Sequence, residues 1–173
     1  KDAGAMLRAL LPRCPRLVAF REQLQGEHPD WWNAPVPAFG DPNGWLCIVG
    51  LAPGKNGANR TGRPFTGDYA GDLLFATLAK FGFTRGIYQS RPDDGLALDG
   101  VIICNSVKCL PPENKPTPEE IHSCRPFLAG MGSLPASLRQ ALEATLGLAT
   151  AENSDRLFAY AGTLWLLAAA AEK

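Results

Sequence analysis

Trp45-Leu-Cys-Ile-Val-Gly-Leu-Ala-Pro-Gly54 decides the architecture. Five apolar residues run without interruption into Gly50, too short for a helix and typical of a strand buried on both faces of a parallel sheet. A glycine-rich loop follows from Gly50 to Gly71, and then a helix is expected from about Asp72 to Phe81. Gly100-Val-Ile-Ile-Cys104 repeats the strand pattern and ends at Asn105. The next helix opens at Pro118, with Thr117 as N-cap, proline at the first position and Glu119 and Glu120 in the first turn. Strand, loop and helix alternate, which predicts an α/β protein with a mostly parallel sheet. Ligands in such folds bind beyond the carboxyl ends of the strands. Loops 50–71 and 105–118 are therefore expected to meet over the sheet.

Upstream, residues 1–25 read as helix, with Leu7, Leu10, Leu17, Val18 and Leu24 near helical spacing and Pro12 and Pro15 splitting the run in two. Residues 28–44 hold a proline or glycine every few positions and read as a loop long enough to suggest function. Downstream of about 129 the chain is rich in alanine and leucine and reads as helix. The longest apolar run, Thr163 to Ala171, covers about half a membrane span and reads as a packed or amphipathic helix. The whole, 173 residues of which 46% are apolar and 20% charged, fits one globular domain, 1–173. No membrane partner is expected.

Seventeen basic residues balance seventeen acidic ones, which excludes a general polycation and makes any polyanion site local. The loop 50–68 is not a Walker phosphate loop, because three residues separate Gly50 from Gly54 and Asn56 follows Lys55. Nor does it carry Gly-x-Gly-x-x-Gly. Its glycines let the backbone approach a ligand closely, and it carries Lys55, Arg60 and Arg63. Between 55 and 91, six cations face only Asp68 and Asp72. That predicts either an anion-binding surface or an ordinary solvated face.

The five cysteines are an odd count with no signal-peptide pattern before them, so a reducing cytoplasm is expected, where clustered cysteines more often bind metal than pair. Cys109 and Cys124 flank a proline-stiffened excursion, and Cys14 lies upstream before a proline. Three thiolates from separate segments suit an iron–sulfur cluster better than a zinc finger. Cys47 and Cys104 sit inside the strands and read as core thiols.

Gly-Leu-Ala-Pro-Gly (50–54), Gly-Ala-Asn-Arg-Thr-Gly-Arg-Pro-Phe-Thr-Gly-Asp (57–68) and Val-Lys-Cys-Leu-Pro-Pro-Glu-Asn-Lys-Pro-Thr-Pro-Glu-Glu-Ile (107–121) together resemble the iron–sulfur uracil-DNA glycosylases. The likeness is strongest to their type b branch, or family five, and segments 14–22 and 31–42 are similar to that branch too. It spans roughly residues 14–128, with the blocks in the family's order. The resemblance implies a three-layer αβα fold, a [4Fe–4S] cluster near the DNA surface, and hydrolysis of the N-glycosidic bond of uracil and other deaminated bases in DNA by a monomer.

By motif position, Phe65 would stack on the flipped base and Asn105 would bond its Watson–Crick edge. The backbone of Gly50, Leu51 and Ala52 would face the leaving base. Asp68 would position water or balance the positive sugar. Lys55, Arg60, Arg63 and Lys108 would hold flanking phosphates. These residue types suit the chemistry. Extruding a base costs a few kcal/mol. An aromatic face returns about 1–3 kcal/mol by stacking, and an amide offers the donor and acceptor that uracil O4 and N3–H require. The residues alone also allow Phe65 in the core, Asn105 capping a turn and Asp68 capping the helix after it.

The sequence departs from the family twice. Its first cysteine pair is Cys-x-x-Cys, but Leu11 stands where the other cysteine belongs, so Cys14, Cys109 and Cys124 supply three matched ligands. The family's C-terminal His-Pro-Ser-like segment has no match after 129; only His28 and His122 exist, neither in that context. Losing one preorganised donor typically costs about a hundred- to a thousandfold in rate. The rivals are a damaged-DNA binder without catalysis and a metal-stapled module without a DNA role.

Overall fold

A computed structural model describes residues 13–129. The first helical piece, Leu11 and the alanine-rich helix after 129 lie outside the described residues. In chain order the elements are α1 (Pro15–Glu27), β1 (Phe39–Gly40), β2 (Leu46–Gly50), α2 (Ala58–Thr61), α3 (Tyr69–Lys80), β3 (Thr84–Arg85), β4 (Ala97–Leu98), β5 (Val101–Asn105), a 3-10 turn (Pro112–Asn114) and α4 (Pro118–Ala129).

Both apolar runs form strands and pair in parallel, in register from Leu46↔Val101 to Gly50↔Asn105. Beyond the strands the lacing continues: the N–H groups of Ser106 and Val107 donate to the carbonyls of Gly50 and Leu51 at 2.7 and 2.9 Å. The expected strand-end loops thus leave the sheet together. Sheet order is β1–β5–β2, with β1 antiparallel to β5, Phe39 opposite Ile103. Among the described residues the α/β class stands, but the sheet is mixed rather than mostly parallel. Its extra strand comes from the segment read as loop, where prolines and glycines hide a two-residue pairing. A second ribbon joins β3 and β4, Thr84 opposite Leu98.

Every residue of β5 is buried, as its unbroken apolar run predicts. On one face Val101 and Ile103 pack with Leu46 and Ile48 of β2 and with Phe75 and Leu78 of α3. The buried positions of α3, Gly71, Phe75 and Leu78, recur at helical spacing. A second cluster joins Leu17 of α1, Val107 and Cys109 after β5, and Cys124 of α4.

Helix ends follow the chain's polar residues. Asp68 caps α3 three residues earlier than expected, its Oδ1 accepting from the Gly71 N–H at 2.9 Å. At α4 the Glu120 N–H donates to Thr117 Oγ1 at 3.3 Å, and the Thr117 N–H donates to Glu120 Oε2 at 2.9 Å. This reciprocal capping box bears out Thr117 as the start of that helix. Arg16 of α1 then grips both Glu120 oxygens at 2.8 Å, tying the two helices together.

Candidate active site

Gly50, the last residue of β2, lies opposite Asn105, the last of β5. A Cβ built on Gly50 would strike Asn105 Oδ1 and would lie 2.8 Å from Phe65 Cζ and 3.0 Å from Cε2. Only glycine leaves this spot open, so an amide edge and an aromatic ring converge above one bare stretch of backbone. Asn105 is 3% exposed, and its carboxamide makes no hydrogen bond among the described residues. Phe65, 8% exposed, forms one wall and also belongs to the core cluster of Phe75, Leu96 and Val101. The core reading of Phe65 and its place at the slot therefore hold together.

Leu51 and Ala52 continue from Gly50 beneath the slot. The Leu51 side chain is exposed, while Ala52 packs against the second cluster. Asp68 does more than cap. While Oδ1 serves α3, Oδ2 lies against the loop backbone, where a Cβ on Gly57 would collide with it and one on Gly54 would come within 3.4 Å. Oδ2 makes no hydrogen bond among the described residues.

Two of the four expected phosphate contacts need correction. Arg63 is buried: its Nη1 and Nη2 each donate to an Asp94 oxygen at 2.7 Å, Nε donates to Thr66 Oγ1 at 2.7 Å, and Phe39, Phe75 and Tyr88 surround the guanidinium. Hydrogen bonds from Arg63 hold the Asp94 carboxyl well below the usual carboxylate range. Lys108 is 1% exposed, and its Nζ has no partner among the described residues. Lys55 and Arg60 remain at the surface, with Lys55 4.0 Å from Glu27. The apparent cationic excess of 55–91 shrinks for a simple reason. Acids just beyond that window fold back on it, Asp94 onto Arg63, Asp99 onto Arg85 and Asp93 onto Arg91.

Cys14, Cys109 and Cys124 share the second cluster. Among the described residues no three His, Cys, Asp or Glu side chains are arranged to hold a single metal ion. Burial raises all three thiols, Cys109 to about 11, and repulsion from Cys124 adds to the rise at Cys14 and Cys109. The Arg21 charge favours the Cys109 thiolate, and that of Lys108 favours the thiolates of Cys124 and Cys104; among the described residues Arg21 Nη1 and Lys108 Nζ are buried without partners. Cys47 and Cys104 lie apart on adjacent strands, where their interaction pushes one thiol, Cys47, up and the other, Cys104, down. Tyr88 and Asp94 bear on the site and went unmarked in the sequence. Neither sits in a periodic pattern, and the Asp93-Asp94 pair before Gly95 reads simply as a turn.

Two parallel strands thus end where an aromatic ring and an amide converge on a glycine backbone. The chain belongs to the uracil DNA glycosylase superfamily, whose family model matches residues 37–147. It is 48% identical over 116 residues to a type-5 uracil-DNA glycosylase of Thermus thermophilus, covering 64% of this chain and 52% of that protein. With the type-5 enzyme of Pyrobaculum aerophilum it shares 43% over 120 residues, 67% of this chain and 53% of the other. With that of Mycobacterium leprae it shares 40% over 143 residues, 79% and 62%. The chain spans about half the length of the first two relatives and somewhat more of the third.

Proposed function

We propose that this chain is a DNA-repair glycosylase that flips uracil, and other deaminated bases, out of DNA and hydrolyses the N-glycosidic bond. The carrying observation is the convergence of the Phe65 ring and the Asn105 amide over the bare backbone of Gly50. A base entering there stacks on Phe65 and meets a donor and an acceptor from one carboxamide, the pair that uracil O4 and N3–H need. As the bond breaks, the base takes up negative charge and the sugar positive charge. Asp68 Oδ2, free of the cap, faces the positive side and orients water, and the N–H groups of loop 51–52 meet the base. Among the described residues no histidine approaches the slot: His28 stacks on Trp31 at 3.9 Å, and His122 is exposed beside Arg125. Among the described residues, the groups offered to the leaving base are backbone donors and Asn105.

A four-iron cluster belongs to the same reading. Three cysteines gather in one apolar cluster, and two buried cations beside them, Arg21 and Lys108, keep donors without partners. Burying unpaired cations costs several kcal/mol. An anionic, thiolate-bound group held by Cys14, Cys109 and Cys124 would neutralise them, so these residues fit it. Its role when bound is to staple α1, the segment after β5 and α4. Anaerobically purified protein is expected to contain iron and acid-labile sulfide, and Cys109→Ser to lose both. Iron-free wild type would end this part of the reading.

The central test is strand scission. A uracil-containing oligonucleotide incubated with the protein and then alkali should break at the uracil, and its thymine twin should not. No cleavage at large enzyme excess would overturn catalysis, and retained preference for uracil-DNA would then identify a binder.

A further inference from the structure

Phe65 can face Gly50 only because its backbone adopts an uncommon shape. Its φ is 53°, in the left-handed region that bulky residues seldom hold without outside support. The support comes from Tyr88, 23 positions further along the chain. The Tyr88 hydroxyl accepts the Gly67 N–H at 3.3 Å and donates to the Phe65 carbonyl at 3.3 Å, bridging the segment two residues apart.

The tyrosine is itself fixed. Its ring packs on Phe75 with centroids 4.5 Å apart, and the Arg63 guanidinium lies 5.7 Å from its centre. Asp94, which grips Arg63, also accepts the Gln89 N–H at 3.0 Å and so anchors the residue next to Tyr88. Gly71, in the first turn of α3, completes the fit. A Cβ there would collide with the Phe65 carbonyl oxygen and lie 2.9 Å from the Tyr88 hydroxyl.

We propose that Tyr88 is a positioning residue whose hydroxyl clamps the 65–67 backbone and so sets the Phe65 ring against the slot over Gly50, governing how firmly a planar base is held. That the base is a flipped uracil rests on the reading above; the clamp itself does not.

Tyr88→Phe keeps the ring and its packing and removes only the two hydrogen bonds. Misplacing a binding group by about 1 Å can cost a hundredfold. Single-turnover excision is therefore expected to fall at least tenfold, while affinity for a duplex carrying an abasic-site analogue, which offers phosphates but no base, stays unchanged. The melting temperature should drop by no more than ~8 °C, as for two lost hydrogen bonds in a domain of this size. Gly71→Ala, which pushes the same groups apart, should reproduce the split. Exchange of the Gly67 amide should accelerate in Tyr88→Phe while amides in the middle of α3 stay protected. Wild-type excision by Tyr88→Phe would overturn the proposal, and so would an equal loss of abasic-site affinity, which would mean general loosening. If the wild type excises nothing, the glycosylase reading fails. The clamp is then judged on Gly67 exchange and on preference for uracil over thymine duplexes, both of which must fall in the variant.

Discussion

Gly50 carries the strictest demand in the pocket, since the atom that any other residue adds there would meet both Asn105 Oδ1 and the Phe65 ring. Gly50→Ala should therefore fill the slot and lower excision about a hundredfold or more. The collision lies at the buried carboxyl end of β2, so urea unfolding should also shift, but by a smaller factor than activity. Equal losses would show that the contact belongs to the core rather than to a ligand site. Asn105→Ala makes the complementary change. It opens the slot and removes the base-reading amide, with an expected loss of about a hundred- to a thousandfold. At this scale the position of Asn105 at the end of a buried strand was legible, because an unbroken apolar run stops there. Arg63 and Lys108 were not legible, because a cation's burial depends on which distant acid or apolar surface reaches it.

At the scale of elements, Asp68 joins a helix to the site, and its two oxygens separate the roles. Oδ1 caps α3 and Oδ2 faces the glycine-rich loop. Asparagine caps helices as well as aspartate does, whereas alanine costs about 1 kcal/mol. Asp68→Asn should thus keep the thermal midpoint close to wild type yet slow excision about a hundredfold, by removing the charge that favours a positive sugar. Asp68→Ala should lose both. Full activity in Asp68→Asn would reduce Asp68 to a cap, the alternative its position before Tyr69 always allowed. The two parallel strands and the start of α4 could be read from apolar runs and cap residues. β1 could not, since two residues amid prolines carry no period and acquire strand geometry only by pairing with Ile102 and Ile103.

Across the described residues, several charges pair with one another. The Arg63–Asp94 pair has side chains 6% and 0% exposed. Breaking such a pair from one side costs about 3–5 kcal/mol, so Asp94→Ala should unfold at distinctly lower urea. Asp94 also gives a signature in acid. Arg63 depresses its folded pKa, so its contribution is complete above the ordinary carboxylate value of about 4 and fades as pH falls from there toward the depressed value. The Asp94 contribution should hold level from pH 7 to about pH 4 and decline below that in wild type, and the decline below pH 4 should be shallower in Asp94→Asn. With Arg63 and Lys108 withdrawn into the interior, the expected phosphate contacts reduce to the surface cations Lys55 and Arg60. Each phosphate contact contributes close to one unit to the slope of log affinity against log salt. The Lys55→Gln, Arg60→Gln double variant should therefore bind duplex more weakly and with a slope shallower by about two units, while its discrimination of uracil from thymine stays intact. An unchanged slope would place the backbone contacts elsewhere on the molecule and detach the glycine-rich loop from the DNA.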